Sequence, residues 1–266
     1  MNILKAFLLT LLSIVVYYIP QGTLVLLITY ADWNINLFNP YFNIVWIISS
    51  IAAYLLVFYF FWKPKPDYYT ILDTNRVNFN IIPYLILIVI GLGLVGQPLI
   101  DFDEIIDYYL NSEIKPHNNK FAGFSLNFLY FRISSLLIAP IFEELFFRKF
   151  LFTKLLEKNK LWIAIIISSI CFSAIHYEQP SNLIPTFIYG VIACIIYYKT
   201  KNIFYLVITH FLYNLSSMMY SIYGESFFDW VYGLNFNFIY WALFAFGILI
   251  TILGVKKITT ANNGYS

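Results

Sequence analysis

The stretch Ala139-Pro140-Ile141-Phe142-Glu143-Glu144-Leu145-Phe146-Phe147-Arg148 sets two adjacent carboxylates and a guanidinium inside an otherwise apolar run. Each ionisable group in an apolar span costs about 2.5 to 3.5 kcal/mol on insertion scales, so such groups persist chiefly where they face a protein interior and carry a function. On a helix Glu144 and Arg148 stand four residues apart and share a face, whereas Glu143 points about 100° away. The spacing predicts an arginine that holds Glu144 and leaves Glu143 free for chemistry. A structural ion pair near a membrane surface is the competing explanation, and it leaves the second glutamate unexplained.

Outward from this stretch the composition sets the class. Of 266 residues, 61% are hydrophobic, 21% aromatic and only 11% charged, with a mean hydropathy of +0.74. These values describe an all-α integral membrane protein. The sixteen basic residues and the net charge of +2 imply no nucleic-acid partner, because the lysines and arginines sit at the ends of apolar runs instead of gathering on one face. Cys171 and Cys194 lie within apolar spans, where a thiol behaves as a small hydrophobe, and imply no disulfide. The first apolar stretch runs on past Pro20 and Gly22 to Tyr30 without a small-residue cleavage site and reads as an uncleaved span.

Runs long enough to cross about 30 Å of hydrocarbon fall near 4-30, 41-62, 81-100, 122-156, 161-177, 183-199, 203-221 and 237-255. The expectation is a single transmembrane domain over 1-266, a bundle of about eight helices with a polar intramembrane cavity. Lys5, Lys63, Lys65, Arg76, the Lys149 to Lys160 group, Lys199, Lys201, Lys256 and Lys257 occupy alternate connections, which places both termini in the cytoplasm. Lys115 and Lys120 are exceptions to that alternation. The acidic segment from Asp101 reads as a solvated outer connection, and Tyr232 and Tyr240 read as interfacial anchors. Gly91-Leu92-Gly93-Leu94-Val95-Gly96 has the spacing of a dinucleotide fingerprint, but no strand precedes it, so it reads as helix packing.

Two of the three histidines lie in apolar spans. His176 closes the fifth, and His210 shares a helix face with Asn214 in the seventh; His117 belongs to the outer loop and is given no role. Counting about 1.5 Å per residue from the basic end puts Glu143 roughly 22 Å deep, His176 roughly 24 Å, His210 roughly 14 Å and Asn214 roughly 20 Å, with Pro140 able to bend the helix before the carboxylates. Groups from three helices thus reach one layer. That set suits attack of water on a carbonyl, with Glu143 as general base, His176 holding the water, and His210 with Asn214 donating to the oxyanion. It also suits zinc, since Glu143, His176 and His210 form a two-histidine, one-glutamate ligand set.

At these residues the chain resembles the CAAX prenyl protease type II family of intramembrane endopeptidases, also called the CPBP or Abi family. That family includes the Ras-converting enzymes and bacterial bacteriocin-processing or immunity proteins. The resemblance covers about Ile138 to Asn214 and rests on three ordered motifs: Glu143-Glu144 with Arg148, Phe172 with His176, and His210 with Asn214. Lys149 departs from it, because many members have Gly after the arginine. The resemblance implies a catalytic core over 122-221. Glu143 and His176 would activate water, His210 and Asn214 would form an oxyanion hole, and Glu144 with Arg148 would brace the site. It also implies a cavity open toward the cytoplasm, in a bacterial cell membrane. The expected partners are the lipid bilayer and a peptide or membrane-protein substrate, prenylated or not. Two other classes compete: a non-catalytic immunity or interaction protein on the same scaffold, and a transporter, against which the absence of paired interrupted spans counts.

Overall fold

The computed structural model describes residues 1–31, 40–74, 77–111 and 123–261. Arg76, Lys115, His117 and Lys120 lie outside them. The described residues are all helical, without strand: α1 (Ile3–Tyr30), α2 (Pro40–Phe61), α3 (Ile82–Ile100), α4 (Phe102–Asn111), α5 (Leu126–Ile133), α6 (Ala139–Glu144), α7 (Thr153–Leu156), α8 (Leu161–Ala174), α9 (Leu183–Thr200), α10 (Ile203–Tyr223), α11 (Glu225–Gly233) and α12 (Phe238–Ala261). The protein is an all-α membrane protein. Among the described residues, Ile3–Tyr30, Phe79–Ile100, Pro180–Thr200 and Phe238–Thr260 are long and apolar enough to cross a bilayer. Of the other expected spans, 41-62 and 161-177 supply shorter apolar helices, Ile47–Phe61 and Leu161–Ala174. The remaining two, 122-156 and 203-221, carry Glu143, Glu144, Arg148, His210 and Asn214.

Helix α1 is inside out relative to a helix of a soluble domain. In α1 the buried face holds Ala6, Leu9, Thr10, Ser13 and Gln21, while Leu4, Leu8, Leu11, Val15, Ile19 and Leu26 point outward. Lipid solvates leucine as well as a protein core does, so small and polar residues settle between helices, where close packing and hydrogen bonds give the attraction. Small residues also set the approach of α3 to α12. A Cβ on Gly91 would stand 2.7 Å from the Gly247 carbonyl oxygen, and one on Gly247 would stand 2.9 Å from that of Gly91. Gly93, from the same glycine run, meets nothing.

The chain from α5 to α7 is one continuous rod in which two wider π-helical segments, Ser134–Ile138 and Leu145–Phe152, flank α6. Such segments recur at functional sites because they shift which side chains share a face. Pro140 explains part of this one. In the wide register the Ala139 N–H donates to the Ser134 carbonyl; the next bond would run from Pro140, which has no N–H, to Ser135. Asn214 Nδ2 fills that vacancy, donating to the Ser135 carbonyl oxygen at 2.6 Å. The second wide segment is deeply buried, with Phe146, Phe147, Leu151 and Phe152 at 0% exposure.

Two expectations are corrected. The segment from Asp101 is a helix where a loop was expected, α4 over 102–111 with none of its residues buried, and Asp101 itself is 1% exposed. Its carboxylate accepts from Gln97 Nε2 on both oxygens at 3.0 and 2.9 Å, from the Tyr232 hydroxyl at 2.8 Å and from the Tyr240 hydroxyl at 2.9 Å. Those tyrosines pin α3, α11 and α12 together through their hydroxyls. The fifth span also stops early. Helix α8 ends at Ala174, and His176 sits in the turn beyond it, because its N–H bonds to the Ser173 carbonyl three residues back.

Candidate active site

Glu144 is the hub. It is fully buried in α6, and its Oε1 accepts three hydrogen bonds: from Arg148 Nη1 at 3.1 Å, from the Tyr189 hydroxyl at 3.0 Å and from His210 Nδ1 at 3.0 Å. The rod, α9 and α10 are thereby tied to one oxygen. Arg148, also fully buried, rests the face of its guanidinium on the rings of Phe172 and Tyr189, with Cζ 4.0 and 5.4 Å from their centroids. Desolvated cation–π contacts of this kind are worth about 2 kcal/mol. Phe172, four residues before His176, is therefore a seat for the arginine. Tyr189 reaches Glu144 from a helix that lies close to α8, where a Cβ on Gly190 would stand 3.0 Å from the Ser169 backbone.

Glu143 turns the other way and lines a cavity of about 500 Å³ with His176, Tyr54, Ser50, Ser134, Ser135 and Arg132. It is 9% exposed, and its Oε2 has no hydrogen-bond partner among the described residues. Behind it lies His210, with Nε2 4.0 Å from Glu143 Oε2. The imidazole of His210 thus bridges the two adjacent glutamates. Because Glu144 is an acceptor, Nδ1 of His210 carries the proton and Nε2 is a lone pair when the ring is neutral. His176 is fixed in the same way. Its Nδ1 lies 3.0 Å from the Phe172 carbonyl oxygen, an acceptor only, which leaves Nε2 as a bare lone pair.

The sequence-selected residues therefore separate into two shells. Glu143 and His176 face the cavity, while Glu144, Arg148 and His210 form the buried support behind them. Asn214 lies at the Pro140 gap, with one amide hydrogen committed to Ser135. The expected zinc ligands Glu143, His176 and His210 do not fit a metal in this arrangement. Among the described residues no three His, Cys, Asp or Glu side chains converge as a metal site. No chemical step is routed through a metal.

Tyr189 and Arg132 are the contributors that sequence reading passed over. Tyr189 is one of 23 tyrosines and carries no distinguishing pattern. Arg132 is an ionisable residue within an apolar span, the same signal that selected Glu143, and was there to be found. The cavity also bears on topology. Met1 hydrogen-bonds the Lys154 carbonyl, and Asn159 Nδ2 donates to the Met1 carbonyl at 3.0 Å, so the N-terminus and the lysine-rich turn share one end. The turn that closes α8 at its other end, with His176, Glu178 and Gln179, lines the cavity.

Residues 125–216 match the family described as Type II CAAX prenyl endopeptidase Rce1-like. A stretch of 82 residues, 31% of this chain and 33% of the relative, is 34% identical to "Putative membrane peptidase YdiL" of Bacillus subtilis (strain 168). The chain thus spans about a third of the curated relative it matches. No solved structure matches it.

Proposed function

We propose that the protein is an intramembrane endopeptidase, with its catalytic core in 122-221, that hydrolyses a peptide bond of a membrane-associated protein or peptide. The observation that carries this reading is that Glu143 and His176 line one cavity, each offering an acceptor, with the His176 ring fixed by the Phe172 carbonyl. A water between them would donate one hydrogen to the Glu143 carboxylate and the other to His176 Nε2, leaving its lone pair to attack the carbonyl. The C–O bond forms as Glu143 takes a proton; the C–N bond then breaks as that proton passes to the leaving amine. The family match over 125–216 and the name of the Bacillus relative support the same class.

His210 and Asn214 are assigned to the oxyanion, with a condition set by the hydrogen bonds. Neutral His210 presents only a lone pair at Nε2, so it donates to an oxyanion only as imidazolium, with Glu144 beside it as counter-charge. Asn214 has one amide hydrogen left after Ser135.

The test is cleavage of membrane peptides by purified protein carrying Glu143→Gln or His176→Ala. Both variants are expected to lose cleavage while keeping expression and melting temperature. Full processing or protective activity in both would overturn the peptidase and leave a binding role, such as immunity, on the same scaffold.

A further inference from the structure

The cavity that holds Glu143 and His176 also holds a cation that the proposed hydrolysis does not use. Arg132, the last basic residue of α5, lines the same wall. It is half-buried, and among the described residues no carboxylate pairs with it. Its Nη2 has one long bond, 3.4 Å to the Ser221 hydroxyl, its Cζ lies 5.1 Å from the Phe128 ring centroid, and its buried Nε has no acceptor. The contrast with Arg148, which is fully buried on Glu144 and two aromatic faces, is chemical as well as positional. A guanidinium offers five donors in a planar fork matched to a carboxylate, and here most of them have no acceptor among the described residues.

We infer that Arg132 is a specificity residue that receives a carboxylate of the substrate, and this deepens the peptidase reading on which it rests. Arg132 and Glu143 are eleven residues apart on one rod, about 16 Å at the α-helical rise and somewhat less through the wide turns. An extended peptide covers about 3.3 to 3.6 Å per residue. The recognised carboxylate therefore lies about four or five residues from the bond that Glu143 cuts. Either the free C-terminus of a chain or an Asp or Glu side chain supplies that chemistry. Ser134 and Ser135, between Arg132 and Glu143 on the same wall, offer hydroxyls along the intervening peptide.

The experiment uses full-length Glu143→Gln protein in nanodiscs of phosphatidylcholine, so that no lipid carries a net charge. Three forms of one short Ala/Leu peptide with an uncharged fluorophore are titrated: the C-terminal acid, the C-terminal amide, and the amide with a single Asp. Binding of the acid, or of the Asp form, at least about tenfold tighter than the plain amide is expected, and which of the two shows it names the source of the carboxylate. Adding Arg132→Gln should erase that ratio, and Arg132→Lys should restore part of it, with unchanged melting temperatures as the folding control. A ratio near one, a ratio indifferent to Arg132→Gln, or no binding of any form overturns the inference. So does Arg132-dependent binding of phosphatidylglycerol without peptide preference, which would assign the cation to lipid. Cleavage of the same peptides by the unmutated protein is scored separately: a carboxylate preference without cleavage keeps the Arg132 site and refutes the peptidase.

Discussion

Two buried carboxylates, Glu144 and Asp101, sit in surroundings of opposite kinds. Asp101 has no cation paired with it among the described residues, and both its oxygens accept from the Gln97 amide and two tyrosine hydroxyls. Glu144 has a guanidinium, a tyrosine and an imidazole, yet all three crowd onto Oε1. Its Oε2, Glu143 Oε2, and Nε and Nη2 of Arg148 have no partner among the described residues. Neutral donors that saturate a carboxylate make a fastener. Mixed charges with donors and acceptors left over make a place where protons and ligands can move, at a standing cost in stability. The largest difference between the two should appear in turnover. Glu143→Gln, which keeps shape and removes the base, is expected to lower cleavage by about 10² to 10⁴-fold with little change in melting temperature. Asp101→Asn is expected to leave turnover of the folded protein where it was. Comparable losses of activity in both would erase the distinction.

Stability should separate them the other way. Glu144→Gln strands the Arg148 charge in a fully buried site, and losing one partner of such a pair costs about 3 to 5 kcal/mol. Its melting temperature should fall well below that of the Glu143 variant, and its activity should fall too, because a neutral amide removes the counter-charge beside a His210 imidazolium. Replacing both partners, Glu144→Leu with Arg148→Met, should recover much of the stability and none of the activity, which isolates the pair's role in orienting His210. Asp101→Asn should cost less, about 1.5 to 3 kcal/mol. It exchanges an anion that accepts four hydrogen bonds for an amide whose N–H₂ must face the same donors. Thermal melting in one detergent, read for all of these variants, orders them.

How far this was legible in the sequence follows from the same contrast. Apolar composition and the helical periods located the helices to within a few residues, because a bilayer enforces helix over any apolar run long enough to span it. The Glu144 to Arg148 spacing is likewise local geometry, readable at four residues. The bond from His210 to Glu144 joins residues 66 positions apart, and the Tyr189 hydroxyl reaches Glu144 from 45 positions away. Neither leaves a periodic trace. Depth counting placed His210 in the right layer but could not say that the ring lies between the two glutamates. It also treated Asp101 by the habit that acidic residues at span ends are wet, and nothing in the local sequence names Tyr232 and Tyr240 as its partners. Pro140 was seen as a bend. Its consequence, the orphaned Ser135 carbonyl taken up by Asn214, depends on a π register that the sequence does not announce.

A third carboxylate, exposed where the others are buried, sets the lower end of the scale. Glu157 follows α7 at the lysine-rich end, accepts from Lys154 Nζ at 2.6 Å, and is half-exposed. That hydrogen bond, the first cause, with Lys154, Lys158 and the N-terminal ammonium nearby, holds its carboxyl below the usual range. A depressed folded-state pKa contributes stability that is present above the unfolded value and is lost as pH falls through the folded one. Solvent screens most of it, so Glu157→Gln should change stability by less than about 1 kcal/mol at neutral pH and by nothing measurable in acid. Added salt should shrink even the neutral-pH effect while leaving the Glu144 and Asp101 variants where they were, because ions reach Lys154 and do not reach a carboxylate that is 0% or 1% exposed. An equal salt response at all three positions would mean that the two interior carboxylates are wet, and the contrast between a saturated fastener and an unsaturated site would fail with it.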